Sequence, residues 1–174
     1  MLRSDKMRLR TLVFSATLLA LAVASLPLEP AIAAWASERD PELGFTFSYP
    51  SELFERAEGD GKPSFHYFAS EDDDAKFLVG GWNNAAGQSP ASLKQWMMEN
   101  MGGYDETTYR PRGKSWFVLS GYRGDIIYYE KVMFSCGDRL VSVFAITYPV
   151  DQRDTYDPVV ERMEDAFRPG SRCA

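Results

Sequence analysis

Histidine and cysteine are scarce in this chain, whose 174 residues include one histidine and two cysteines. This inventory excludes a zinc site built from Cys and His ligands and any chemistry that requires two histidines. Hydrophobic residues make up 45% of the sequence and charged residues 25%, which is the balance of an ordinary globular domain. Disordered, collagen-like and coiled-coil chains are excluded on the same ground.

A secretory signal peptide is predicted at residues 1–33. A basic opening precedes an uncharged run at residues 11–26, and a small-x-small motif follows that run and ends at Ala33. This order predicts cleavage between Ala33 and Ala34, and a second motif leaves cleavage after Ala36 as an alternative. An uncleaved anchor is less favoured because the uncharged run is shorter than the ~20 residues of a spanning helix.

The charge of the chain bears on its location and partners. The whole chain has a net charge of −6, and removal of residues 1–33 leaves −8. Nucleic acids and anionic lipid surfaces repel a protein this acidic. We therefore expect no nucleic acid partner and no membrane partner after signal removal. From the predicted signal peptide we expect a periplasmic or secreted protein, and we expect it to have a protein partner and no cofactor.

The two cysteines are predicted to form a structural disulfide. Cys136 precedes a Gly137-Asp138 turn, and Cys173 follows the last predicted helix. In an oxidising compartment a single pair of cysteines is most simply a disulfide, which here would tie the tail to the sheet. A redox pair is the alternative, but it lacks the C-x-x-C spacing and a neighbouring His or Lys.

Hydrophobic periodicity predicts one α+β domain at residues 44–174, after a polar lead-in at residues 34–43. Strands are predicted at residues 44–50, 64–70, 76–82 and 104–112, with three more in residues 114–149 and a turn at residues 51–63. Helices are predicted to begin at Ser89-Pro90 and at Asp157-Pro158, where a capping residue precedes proline. A preceding turn of helix at residues 149–156 is the alternative for the closing helix. The predicted fold is a curved, mostly antiparallel sheet packed by two main helices.

This order of elements resembles the PsbP-like fold family. The resemblance covers residues 44–169 and rests on an opening strand GFTFSYP, a middle helix, three long strands and a closing helix YDPVVERMEDAFRPG. The long-strand segment also resembles uncharacterised exported alphaproteobacterial domains. The family includes an extrinsic protein of photosystem II and a Ran-binding import factor, but no residues here match their contact surfaces. The resemblance implies a non-enzymatic binding or assembly domain.

Several polar residues are candidates for chemistry, and each has a simpler structural interpretation. His66 is the one candidate base, but no G-x-S-x-G motif supplies a serine, which favours a satisfied or exposed strand histidine. The acidic run at residues 71–74 lacks the spacing of a calcium loop and is interpreted as a solvated hairpin tip. The tripeptide at residues 123–125 spells an adhesion motif, but glycine beside aspartate is typical of a hairpin turn.

The acidic residues Glu161, Glu164 and Asp165 share the closing helix and are interpreted as its solvated face, because hydrolysis needs two carboxyl groups across a cleft. Aromatic residues are abundant, and the adjacent Tyr128 and Tyr129 must point to opposite faces of one strand. Either one of these two rings is exposed, or helices cover both faces of the sheet and bury both rings. We expect an exposed aromatic residue on the strands of 114–149 to anchor a partner.

The sequence thus predicts a periplasmic accessory or protein-interaction module that is not an enzyme and has no catalytic centre. The alternative is a small-molecule binder or carboxylate-dependent hydrolase with a cleft between helix and sheet. A deep pocket containing an acid with a perturbed pKa would favour the alternative, and a flat aromatic patch would favour the interaction module.

Overall fold

A computed structural model of the chain describes residues 34–104 and 106–173. The predicted signal peptide, with the Ala33 side of its cleavage site, lies outside the described residues. The strands are β1 (Trp35–Arg39), β2 (Thr46–Pro50), β3 (Glu55–Ala57), β4 (Phe65–Ala69), β5 (Lys76–Asn83), β6 (Glu106–Tyr109), β7 (Trp116–Arg123), β8 (Ile126–Ser135) and β9 (Leu140–Pro149). The helices are α1 (Pro90–Asn100) and α2 (Arg153–Ala166), and a 3-10 turn at Val150–Gln152 leads into α2.

Within the described residues, the main sheet has seven strands in the order β3-β4-β5-β9-β8-β7-β6, and every neighbouring pair is antiparallel. The ten-residue strands β8 and β9 lie near its centre, and apolar side chains on both of their faces are buried. Strands β1 and β2 pair separately as an antiparallel ribbon. The predicted α+β fold, an antiparallel sheet with two helices, is confirmed.

The two faces of the main sheet carry different cores. On one face, here called the α2 face, the core includes Tyr156, Val160 and Met163 of α2 and several phenylalanines of the strands and of the β1–β2 ribbon. On the other, here called the α1 face, Leu93 and Met97 of α1 pack against apolar residues of β7, β8 and β9. Helix α1 has only 11 residues, and this short helix is the one that positions the candidate site.

Two short strands lie where none was predicted. Strand β1 falls within the predicted polar lead-in, where it pairs with β2 from Trp35 opposite Pro50 to Arg39 opposite Thr46. The Arg162 guanidinium of α2 lies 4.1 Å from the centre of the Trp35 ring. Strand β3 lies in the predicted turn at residues 51–63 and pairs with β4. Both are edge strands with mostly polar residues, so neither has the apolar alternation that marks a strand in sequence.

The two helix starts differ in outcome. Helix α1 begins as predicted, with a capping box in which Ser89 Oγ accepts from the Ser92 N–H at 3.1 Å and Ser92 Oγ accepts from the Ser89 N–H at 2.9 Å. Helix α2 begins at Arg153, so the start at Asp157-Pro158 is wrong, whereas the alternative of a preceding helical turn within residues 149–156 is confirmed. Pro158 therefore lies inside the helix.

The two cysteines lie at disulfide distance, with 5.4 Å between the Cα atoms of Cys136 and Cys173. This is within the usual range for a disulfide. The pair joins the β8–β9 turn to the C-terminal tail.

In the described part of the chain, no helix is long and apolar enough to cross a membrane.

Candidate functional site: a groove on the α1 face of the sheet

Helix α1 covers only part of its face of the sheet. Beyond it, Phe65 of β4, Leu78 and Trp82 of β5, and Ala145 of β9 are hydrophobic residues that remain half-buried. The Phe65 ring lies across Gly80 of the neighbouring strand, where an added Cβ would come within 2.4 Å of the ring. A side chain at position 80 would therefore displace the Phe65 ring, and glycine leaves the space that this ring occupies.

An open groove of about 400 Å³ lies on this partly covered surface. Its lining includes Leu78 and Ala145, together with Glu130 of β8. Tyr67 of β4 also contributes to the lining, and so does Met101, which directly follows α1 and is 54% exposed. The groove is therefore mainly apolar; Glu130 is the carboxylate that a strand contributes, and Glu58, Asp73, Lys76 and Arg123 are its other charged residues.

Glu130 is the most unusual residue of the groove. In β8 it lies opposite Leu119 of β7 and Ala145 of β9. Burial raises the pKa of Glu130, although a hydrogen bond from Tyr104 and the nearby charge of Arg123 act in the opposite direction. The Tyr104 hydroxyl donates to Glu130 Oε2 at 2.5 Å.

The segment that follows α1 holds Tyr104 in place. Burial, and then the charge of Glu130, raises the pKa of the Tyr104 phenol. The Arg123 guanidinium lies 5.4 Å from the Tyr104 ring centre and 4.8 Å from that of Tyr128, and Arg123 Nε donates to the Gly103 carbonyl at 2.8 Å. A cation over two aromatic faces stabilises this end of the groove.

The composition of the groove is that of a ligand- or partner-binding surface. Its lining combines apolar surface with several polar groups, which are the carboxyl groups of Glu58, Asp73 and Glu130, four tyrosines, Thr147, Lys76 and Arg123. Among the described residues its lining contains no serine, cysteine or histidine. Apolar surface with a few convergent polar groups is the usual composition of a binding site.

The sequence singled out His66, which lies on the opposite face of the sheet. Its Nε2 is 3.1 Å from Oδ2 of the buried Asp40, and Arg56 Nη1 donates to its Nδ1 at 3.2 Å. Ser64 Oγ donates to Asp40 at 3.2 Å rather than to the histidine. The contacts are those of a satisfied strand histidine that connects β4 to the loop after β1, and they do not form a Ser-His-Asp arrangement.

The acidic run at residues 71–74 lies at the tip of the β4–β5 hairpin. Asp72 Oδ1 accepts from Ser70 Oγ at 2.6 Å, which lowers the pKa of Asp72, and Asp73 pairs with Lys76 at 2.7 Å. Across the part of the chain that the structure describes, no three His, Cys, Asp or Glu side chains are grouped so that they could hold a metal ion. The tripeptide at residues 123–125 spans the β7–β8 turn, where Gly124 has a φ of +61°.

The acidic residues of α2 do not form one solvated face. Glu164 is half-buried and pairs with Lys131 of β8, whereas Glu161 and Asp165 are exposed. Of the two adjacent tyrosines, Tyr128 is buried and Tyr129 is half-buried, so neither is an exposed anchor. The most exposed aromatic residues among those described are Trp96 of α1 (48%) and Tyr109 of β6 (56%), both outside residues 114–149.

Sequence reasoning did not identify Glu130, Tyr104 or Arg123 as parts of one site. A single signal was available, because Glu130 is a charged residue at a position whose neighbours two residues away, Tyr128 and Val132, are apolar. Strand alternation places these three residues on the same face. The alternation of side chains along β8 does not show which loop covers that face.

Comparison with known proteins agrees on the class of fold. The chain has a PsbP-like α+β fold, as the resemblance in its sequence implied. It is similar to the solution structure of cyanobacterial PsbP (CyanoP) from Synechocystis sp. PCC 6803, with a TM-score of 0.59 and 15% identity, over 82% of this chain and 99% of that one.

A second similar structure is the Ran-binding protein Mog1p of Saccharomyces cerevisiae, with a TM-score of 0.52 and 9% identity, over 79% of this chain and 96% of that one. No protein-family model matches the chain, and no curated protein matches it in sequence. At these identities the similarity establishes the fold alone.

Proposed function

We propose that this protein is an exported, non-catalytic interaction module that binds a protein partner through the groove on the α1 face. The observation that carries the proposal is the incomplete cover of the sheet by α1, which leaves Leu78, Ala145 and Met101 around a mainly apolar groove. Apolar surface of this kind marks interaction sites on soluble proteins. A protein of the same fold, Mog1p, is described as Ran-binding, which supports protein binding as a use of this scaffold.

Site-specific photo-crosslinking tests the groove. A photoreactive amino acid at Met101, which is exposed within the groove, is expected to capture a defined partner in the native compartment. The same amino acid at Asp151, which is exposed and outside the groove lining, is the matched control. Equal capture from the two positions, or no capture from position 101, would contradict the proposed docking surface.

Export is the second part of the proposal, and the mature N-terminus tests it. The n-, h- and c-region order of residues 1–33 supports it, as does a cysteine pair at disulfide distance. We expect intact-mass measurement on exported material to give a chain beginning at Ala34. Cleavage after Ala36 is less favoured because it would remove Trp35 from β1. A full-length N-terminus in that material would contradict export with cleavage.

A small-molecule binder is the second candidate function, and the groove itself favours it. A volume of about 400 Å³ falls in the usual range of ligand pockets, and Glu130 is an acid with a raised pKa. Native mass spectrometry distinguishes the two candidates. A stoichiometric added mass on the wild-type protein that is lost in Glu130→Ala would support the small-molecule binder. No added mass on the wild-type protein, together with crosslinking at position 101, would support the interaction module.

A further inference from the structure

A second cavity, here called the tyrosine cleft, lies on the opposite face of the sheet, between the strands and α2. Its volume is about 540 Å³. Four adjacent strands, β6 to β9, each contribute one tyrosine to its lining, and these are Tyr109, Tyr122, Tyr129 and Tyr148. This cleft shares almost none of its lining with the groove, and its function does not depend on the proposal made above.

Strand register explains how the tyrosines enclose a space. In one cross-strand row, Ser120 of β7 lies between Tyr109 of β6 and Tyr129 of β8. In the next row, Ile127 of β8 lies between Tyr122 of β7 and Tyr148 of β9. Because Ser120 is small, the aromatic rings on either side of it flank an open position rather than a filled one.

Helix α2 contributes three carboxylates to the lining of the tyrosine cleft. Asp157, Glu161 and Glu164 are spaced at i, i+4 and i+7, which places them on one side of the helix, and all three line the cleft. Asp157 Oδ2 accepts from Arg153 Nε at 2.8 Å, and Glu164 pairs with Lys131. Glu161, between them, has no hydrogen-bond or ion-pair partner among the described residues.

The Tyr109 side chain is likewise available. It is more than half exposed, and no described residue forms a hydrogen bond with its hydroxyl group or a ring contact with it. The site therefore offers an uncommitted carboxylate and an uncommitted aromatic ring within a cleft whose two other carboxylates already have cationic partners.

We propose that the tyrosine cleft binds an organic cation of the alkylguanidinium or alkylammonium class, held by the Glu161 carboxylate and the Tyr109 ring. A bound cation would give Glu161 a cationic partner, as Asp157 and Glu164 already have. Aromatic faces attract cations through their quadrupole, and a carboxylate adds charge-assisted hydrogen bonds. The chain's own Arg153 shows that the cleft accommodates a guanidinium, with Nη1 3.5 Å from the Tyr122 hydroxyl.

Titration followed by NMR tests this site on residues 34–174. One probe is a pentapeptide in which a single arginine is flanked by glycines. The other is the same peptide with citrulline, a neutral isostere of arginine, in place of the arginine. We expect saturable shifts at Tyr109 and Glu161 with the arginine peptide, weaker binding as salt is raised, and no saturation with the citrulline peptide. Acetyl-arginine amide and tetramethylammonium, titrated in parallel, distinguish a side chain of a partner from a free small cation as the source.

Variants assign the binding to the named residues. Glu161→Gln and Tyr109→Ala are each expected to lower the affinity for the arginine peptide by about two- to fivefold. Because both side chains are exposed, we expect both variants to retain the fold. Asp154→Asn removes one charge from the same helix outside the cleft lining and is expected to leave affinity unchanged. Equal binding of the citrulline peptide, or an equal effect of Glu161→Gln and Asp154→Asn, would overturn the proposal.

Discussion

Glu130 contributes a carboxyl group to the mainly apolar groove. It is a charged side chain between apolar cross-strand neighbours, Leu119 and Ala145, and its identified hydrogen-bond donor is the Tyr104 hydroxyl. Burial in such surroundings disfavours the charged form of a carboxyl group. A residue that costs stability in this way is typical of functional positions, which is consistent with the proposed role of the groove.

Glu130→Gln is expected to stabilise the protein increasingly as pH rises. The folded-state pKa of Glu130 is raised, so the wild-type carboxyl group favours folding below its unfolded pKa of about 4.3 and loses that contribution as pH rises through the folded pKa. Glutamine does not titrate and can still accept from Tyr104. Urea unfolding at pH 4 and pH 8 measures the difference, with Asp154→Asn as an exposed control, and a pH-independent difference for Glu130→Gln would contradict the assignment.

Helix α2 illustrates how packing overrides a local start signal. Asp157 followed by Pro158 favours a helix start at that point, yet the helix begins at Arg153. The additional turn buries Tyr156, whose ring lies 5.4 Å from Tyr148 and 6.0 Å from Phe54. Burial of an aromatic side chain contributes more free energy than one lost backbone hydrogen bond costs.

Pro158→Ala is expected to raise the free energy of unfolding by about 1–3 kcal/mol. Proline in a helix interior removes a hydrogen bond and crowds the preceding turn, a cost that the lower entropy of its unfolded chain only partly offsets. Pro90→Ala is the matched control, because proline at the first position of α1 is favourable. Urea denaturation measures both variants, and equal changes would contradict this explanation.

At the scale of the whole molecule, the C-terminal tail connects distant parts of the fold. The Gly170 N–H donates to Ser142 Oγ at 2.9 Å, Ser135 Oγ donates to the Gly170 carbonyl at 2.6 Å, and the Ser171 N–H donates to the Leu43 carbonyl at 3.0 Å. The tail therefore contacts β8, β9 and the loop before β2. The Cys136–Cys173 pair lies at the end of this connection.

Removal of the predicted disulfide is expected to lower the free energy of unfolding by about 3–4 kcal/mol, because a bridge across 37 residues restricts the unfolded chain. Cys136→Ser, Cys173→Ser and the double variant should be destabilised to a similar extent, since each lacks the same bond. Chemical denaturation with and without reductant measures this. Two free thiols in freshly isolated protein, or additive effects of the two substitutions, would contradict the prediction.

Sequence by itself determined the fold class, the three long strands of 114–149, the start of α1 at Ser89 and the resemblance to PsbP-like proteins. These features follow from local alternation and capping, which are contained in neighbouring residues. Tertiary structure alone decided that Tyr104, Arg123 and Glu130 meet in one groove and that polar β1 pairs with β2. Strand alternation shows which side chains share a face, but the cover over that face depends on where α1 ends and on the loop that follows it.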